Sequence, residues 1–136
     1  TDDTTGDSNN SLLSLYDADV LVNEGKYFIT LSMTSLASQF AIPAVSHTTI
    51  SERLLLNPKG GAIAVLGSGG MSTLDTDSLF LQGFYNSLWK SKSMPMRLGE
   101  LVTGGYDNFP ANGERTRTYV LLGDPLTKIY VDLSTE

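Results

Sequence analysis

Ser35 sits where a reactive side chain is usefully held. The run "KYFITLSM", residues 26 to 33, has the apolar content and length of a buried strand, and it gives way to the small polar stretch "TSLASQF". A strand that stops in this way can set a nucleophile at the mouth of a cleft. The chain contains no cysteine and one histidine, so a thiolate nucleophile and thiolate metal sites are excluded within it. A nucleophilic serine needs a positioned general base. His47 is the one histidine available, in the loop after Pro43, where a loop or cap-preceding position explains it without chemistry.

Three further groups have a chemical reading and a structural one. Gly67-Ser68-Gly69-Gly70 follow the apolar run "AIAVL" and could offer backbone N–H groups and room for an extended substrate. A tight turn using positive φ accounts for the same glycines. The run does not fit G-x-G-x-x-G, because the sixth position of a motif starting at Gly67 is Ser72, so dinucleotide binding is not expected. Asp75 and Asp77 could present negative charge to a basic side chain, and helix capping is the simpler account. Asp2, Asp3 and Asp7 lack the dense, glycine-bearing spacing of a calcium loop, so no metal and no cofactor is expected.

The elements that would position these residues follow from periodicity. Residues 1–11 are polar, acidic and without apolar period, and read as a flexible arm or exposed loop. "SLLSLYDADVLVN" has helical spacing and runs into a turn at Asn23-Glu24-Gly25. Thr49 and Glu52 form a capping-box pair, and Pro58 with Gly60-Gly61 stops that helix. "AIAVLG" is a second short buried strand. Phe80, Phe84 and Leu88 form an i, i+4, i+8 stripe on a long helix that Asp75 or Asp77 could cap. "MPMRLGELVTGG" reads as a shorter helix with Pro95 near its start and Gly104-Gly105 at its end. "RTYVLLGDP" is a third strand closing in a turn at Asp124-Pro125, and "TKIYVDLS" alternates like an edge strand. This order is the grammar of an α/β layered domain with a largely parallel sheet flanked by helices, in which ligands bind at the carboxyl ends of the strands.

Composition narrows the function classes. A net charge of −6, with the nine basic residues scattered, argues against a nucleic-acid surface. The longest uncharged apolar run, Gly60 to Met71, is too short and glycine-rich for a membrane span.

Four stretches, in order and with compatible spacing, resemble the gingipain-type cysteine peptidases, relatives of caspases and clostripain. "ADVLVNEGKYFITLSMTSLASQF" resembles the segment leading through the nucleophile strand, and "TTISERLLLNPKGGAIAVLGSGG" the helix and strand after it. "LFLQGFYNSLW" with "LGEL" resembles the next two helices, and "YVLLGDPLTKI" the closing strand. Together they cover about residues 12 to 131.

The resemblance implies a caspase-like fold, with residues 12–136 forming the second half of a peptidase domain. It implies a catalytic cysteine five residues before Phe40, a position that Ser35 occupies here. It implies that Gly67, Ser68, Gly69 and Gly70 border the pocket for the side chain preceding the scissile bond. It places the catalytic histidine upstream of Ser35, where this chain has none, so a histidine-bearing companion segment or chain is expected. The implied partner is a peptide or protein substrate, with cleavage after Arg or Lys, and the implied setting a secreted or cell-surface bacterial protein.

Three function classes therefore stand: a peptidase domain held inactive by serine, a natural pseudopeptidase acting as a peptide-binding or scaffolding module, and an unrelated small α/β binding domain. The expected sheet has strands near 27–33, 62–67 and 118–123, parallel and adjacent, with helices near 49–57 and 77–90 on its faces. The chain alone is expected to leave the edge of the Ser35 strand open and to lack peptidase activity, with His47 away from Ser35.

Overall fold

The computed structural model describes residues 12–40, 48–90, 95–110 and 118–131. His47 and the 1–11 arm lie outside these residues, so their expected placements do too. In chain order the elements are α1 (Leu15–Val20), β1 (Phe28–Ser32), α2 (Ile50–Leu56), β2 (Ala62–Ser68), α3 (Leu74–Lys90), β3 (Met96–Arg97), α4 (Leu98–Asp107), β4 (Tyr119–Gly123) and β5 (Lys128–Ile129). The chain folds as a mixed α/β domain, with helices flanking a sheet of order β1-β2-β4.

Local chemistry starts each early helix. In α1 the Ser14 hydroxyl accepts from Asp17 N–H at 3.2 Å, and the Asp17 carboxylate accepts from Ser14 N–H at 2.8 Å. Thr49 and Glu52 repeat that reciprocal cap on α2, as their spacing requires. Asn57 ends α2 and ties it to α1 by donating to the carbonyls of Ala18 and Leu21. Asn23 clips the α1–β1 turn to the start of β2, donating to Gly61 O at 2.9 Å and accepting from Gly61 N–H at 2.6 Å. Gly61 has φ of +82°, which a side chain would resist.

β1 and β2 are parallel, with Leu31 beside Leu66 and Ser32 beside Gly67. The third strand corrects the expectation. β4 runs antiparallel to β2, with Leu121 opposite Leu66 and Tyr119 opposite Ser68. An apolar five-residue strand carries no mark of its direction, which the path of the connecting chain decides.

Burial divides the helices between two faces. Ala64 and Leu66 pack with Phe80, Phe84 and Leu88 of α3 and with Leu98 and Leu101 of α4. Val65 packs with Ala18 of α1 and Leu54 of α2. The Phe80/Phe84/Leu88 stripe is therefore core.

Two further expectations change at α4. Gly104 and Gly105 lie inside that helix rather than at its end. A Cβ on Gly105 would press into the Phe80 ring, so the pair marks where α3 and α4 approach closely. Residues 128–129 pair antiparallel with β3, making a two-residue ribbon where a longer edge strand was expected. Asp124 does open the turn before it, accepting from Leu126 N–H at 2.8 Å.

No described strand pairs with the outer edge of β1. Beside that edge lies a cavity of about 460 Å³ lined by Leu31, Met33, Ile50, Leu54 and Val65, among others. Thr30 contributes a buried hydroxyl oxygen without a partner among the described residues.

Candidate active site

Ser35 lies in a turn directly after β1, half-buried, and its hydroxyl is bonded in both directions to Ser72. Ser35 Oγ accepts from Ser72 N–H at 3.0 Å and donates to Ser72 O at 3.2 Å. The next residue, Leu36, has φ of +66°, a left-handed conformation that costs a non-glycine residue about 1–2 kcal/mol. Leu36 N–H is held by Gly70 O at 3.0 Å. The 35–36 turn and the 70–72 segment are thus laced together, with a strained backbone conformation directly after Ser35.

Ser72 passes the connection inward. Its hydroxyl donates to Asp77 Oδ2 at 3.3 Å, and Tyr119 OH donates to Asp77 Oδ1 at 2.7 Å. Tyr106 OH donates to Tyr119 O at 2.7 Å. Proton counting fixes the direction of these bonds. Each hydroxyl has one proton; that of Ser35 goes to a carbonyl and that of Ser72 to a carboxylate. The 3.5 Å separation between the two hydroxyl oxygens therefore carries no transferable proton.

Asp75 and Asp77 do not cap α3. The Thr73 hydroxyl accepts from Thr76 N–H at 3.3 Å, and Thr76 Oγ1 accepts from Thr73 N–H at 2.9 Å, so the threonines close the helix start. Asp75 is exposed. Asp77 is 8% exposed and belongs to the network above, a role the sequence does not signal because its partner is 42 residues away.

The four residues Gly67 to Gly70 split between two tasks. Gly67 and Ser68 are inside the central strand, paired with β1 and β4. Gly69 and Gly70 bend away at its end, with Gly69 N–H donating to Thr118 O at 2.6 Å. None of the three glycines has positive φ, so the tight-turn explanation is corrected. Gly67 is required by proximity: a Cβ there would overlap the Ser38 hydroxyl. Ser38 and Ser51, both fully buried, form a pair missed from the sequence. Ser51 donates to Ala37 O at 2.8 Å, so the 2.7 Å bond between the hydroxyls is donated by Ser38.

Gly69 and Gly70, with Ser38, Gln39, Phe40, Thr118 and Val120, line a groove of about 300 Å³. The Thr118 hydroxyl oxygen in this wall is buried and without a partner among the described residues. The described residues contain no cluster of three or more potential metal ligands, and none of their helices is long and apolar enough to cross a membrane.

The model of peptidase family C25, the gingipain family, matches residues 2–130. This chain belongs to that family. No curated protein and no solved structure matches it at a significant level. The domain is thus of the gingipain cysteine-peptidase type, and its α/β layers are those of a partial caspase-like domain.

Burial pushes the Tyr119 phenol above its ordinary value of 10.0, and the charge of Asp77 beside it adds to the rise. The folded state favours the neutral phenol. That stabilisation is complete below the unfolded value and is lost as pH climbs through the raised one. Urea unfolding above pH 10 is expected to show stability falling by up to about 1.4 kcal/mol per pH unit from this one group. Tyr119→Phe should flatten that part of the profile; an unchanged alkaline slope in the variant would reject the assignment.

Proposed function

We propose that this chain is the nucleophile-strand half of a gingipain-type domain, with Ser35 in the place of the catalytic thiol, and that it binds peptides without hydrolysing them by itself. The observation that carries the reading is the hydroxyl of Ser35, which spends its proton on Ser72 O and a lone pair on Ser72 N–H. An alcohol has a far higher pKa than a thiol and needs a base to act as nucleophile. Among its described hydrogen-bond partners there is only Ser72. The hydroxyl works as a tie between the two loops at the strand ends.

In this reading the base comes from a histidine-bearing companion segment or chain. The open edge of β1 and the unpartnered Thr30 hydroxyl beside it support an added strand there, since an unpaired edge invites one. The groove at Gly69 and Gly70 is where a substrate peptide lies. The family's peptide class is retained; Asp77, the buried carboxylate at this end of the sheet, is already bonded to Tyr119 and Ser72, so it is not the group that would meet a basic side chain.

Hydrolysis of peptide esters and of unstructured protein substrates tests the claim. The chain and Ser35→Ala should both remain at the buffer rate. Turnover by the chain that disappears in Ser35→Ala would overturn it.

A further inference from the structure

The bonds that begin at Ser35 end on a carboxylate. Asp77 is 8% exposed, and its two oxygens accept from Tyr119 OH at 2.7 Å and from the Ser72 hydroxyl at 3.3 Å. The Ser72 hydroxyl oxygen lies 3.5 Å from Ser35 Oγ, so the carboxylate stands within about 7 Å of the side chain at position 35. Behind it stand Tyr119 from β4 and, in contact with that ring, Tyr106 from α4, both phenols and uncharged at neutral pH.

This arrangement acts on position 35 in two ways. Asp77 takes the one proton of the Ser72 hydroxyl, which therefore points away from Ser35 and does not donate to it. Asp77 also fixes a negative charge where bulk water screens it poorly. A neutral hydroxyl at position 35 is little affected by that charge, whereas an anion there is opposed by it. What an anion would gain from this segment is the Ser72 N–H, now 3.0 Å from Ser35 Oγ.

We propose that Asp77 is a positioning residue that holds the side chain at position 35 in its neutral form, by turning the Ser72 hydroxyl away and by keeping a carboxylate behind it. This rests on the reading of Ser35 as standing in the place of the catalytic thiol, and it adds how that place is regulated. The chain by itself is fitted to an alcohol. Only the positive charge of the companion's histidine, set closer to position 35 than Asp77 is, favours an anion there.

The test follows iodoacetamide alkylation against pH in the full chain carrying Ser35→Cys, without a companion. The midpoint should lie at or above the value of about 8.5 for a free cysteine. Adding Asp77→Asn keeps the shape, leaves an amide oxygen for Tyr119 OH and offers an N–H to Ser72 Oγ, whose own proton is then free to turn toward position 35. The midpoint should fall by about one pH unit, and should do so equally in about 0.5 M salt, because the charge removed is buried. Asp75→Asn, which removes an exposed carboxylate two residues away, should move it by less than about 0.2. Ser72→Ala removes the hydroxyl and keeps the charge, so it should not lower the midpoint. A Ser35→Cys midpoint well below 8.5, no fall with Asp77→Asn, or an equal fall with Asp75→Asn or Ser72→Ala overturns the proposal. If circular dichroism shows Asp77→Asn unfolded, the midpoint of Ser35→Cys alone decides. Ester hydrolysis by the unsubstituted chain that vanishes in Ser35→Ala overturns instead the reading on which the proposal rests, whatever the cysteine midpoints are.

Discussion

Ser35→Cys, co-expressed with a histidine-bearing companion segment from the family, is expected to acquire a thiol pKa at least about two units below the 8.5 of a free cysteine. That is about 2.7 kcal/mol of preference for the thiolate. The β1 end and the Ser35–Ser72 lacing already hold the side chain at the cleft, so the replacement alters one atom on a fixed backbone. The Ser72 N–H that now bonds the hydroxyl would face the thiolate, and the companion's imidazolium would supply the opposite charge. The pH profile of alkylation by iodoacetamide reads the midpoint directly. Without the companion, or with its histidine replaced by alanine, the midpoint should return toward the free value. A midpoint near 8.5 in the assembled protein, indifferent to that histidine, would reduce Ser35 to a turn residue.

Phe80→Ala should be the most damaging single truncation in the chain, at about 3–5 kcal/mol. Phe80 is fully buried, stacks on Tyr119 with centroids 4.2 Å apart, and meets Tyr106 edge-on at 5.2 Å. Its ring also fills the space left by Gly105 across the α3–α4 contact. Against a total stability of about 5–15 kcal/mol for a domain, such a loss is a large fraction. The damage should reach the cleft, since Tyr119 orients Asp77, Asp77 holds Ser72, and Ser72 bonds Ser35. Urea unfolding of the chain and the variant under identical conditions measures it. A change below about 1 kcal/mol would mean that the tyrosines close the gap.

Much of this protein is legible one segment at a time. The Thr49–Glu52 cap, the α3 stripe, the three short apolar strands and the Asp124 turn are set by interactions within a few residues, so spacing and residue type suffice to find them. The motifs that mark the family are of the same local kind, and the proposed place of Ser35 rests on counting back from Phe40 within one of them. What the tertiary structure alone decided is everything that joins distant segments. The direction of β4 depends on the chain's path into it. Asp77 looks like a helix-start residue until Tyr119, 42 positions later, is folded against it. Gly67 and Gly105 look like turn or terminus glycines until Ser38 and Phe80 arrive beside them. The hydroxyl of Ser35 looks available until Ser72 takes its proton and one of its lone pairs. Hydrogen bonds and close contacts between remote residues leave no period in a sequence, because the distance they act over is spatial and each partner alone has an adequate local explanation.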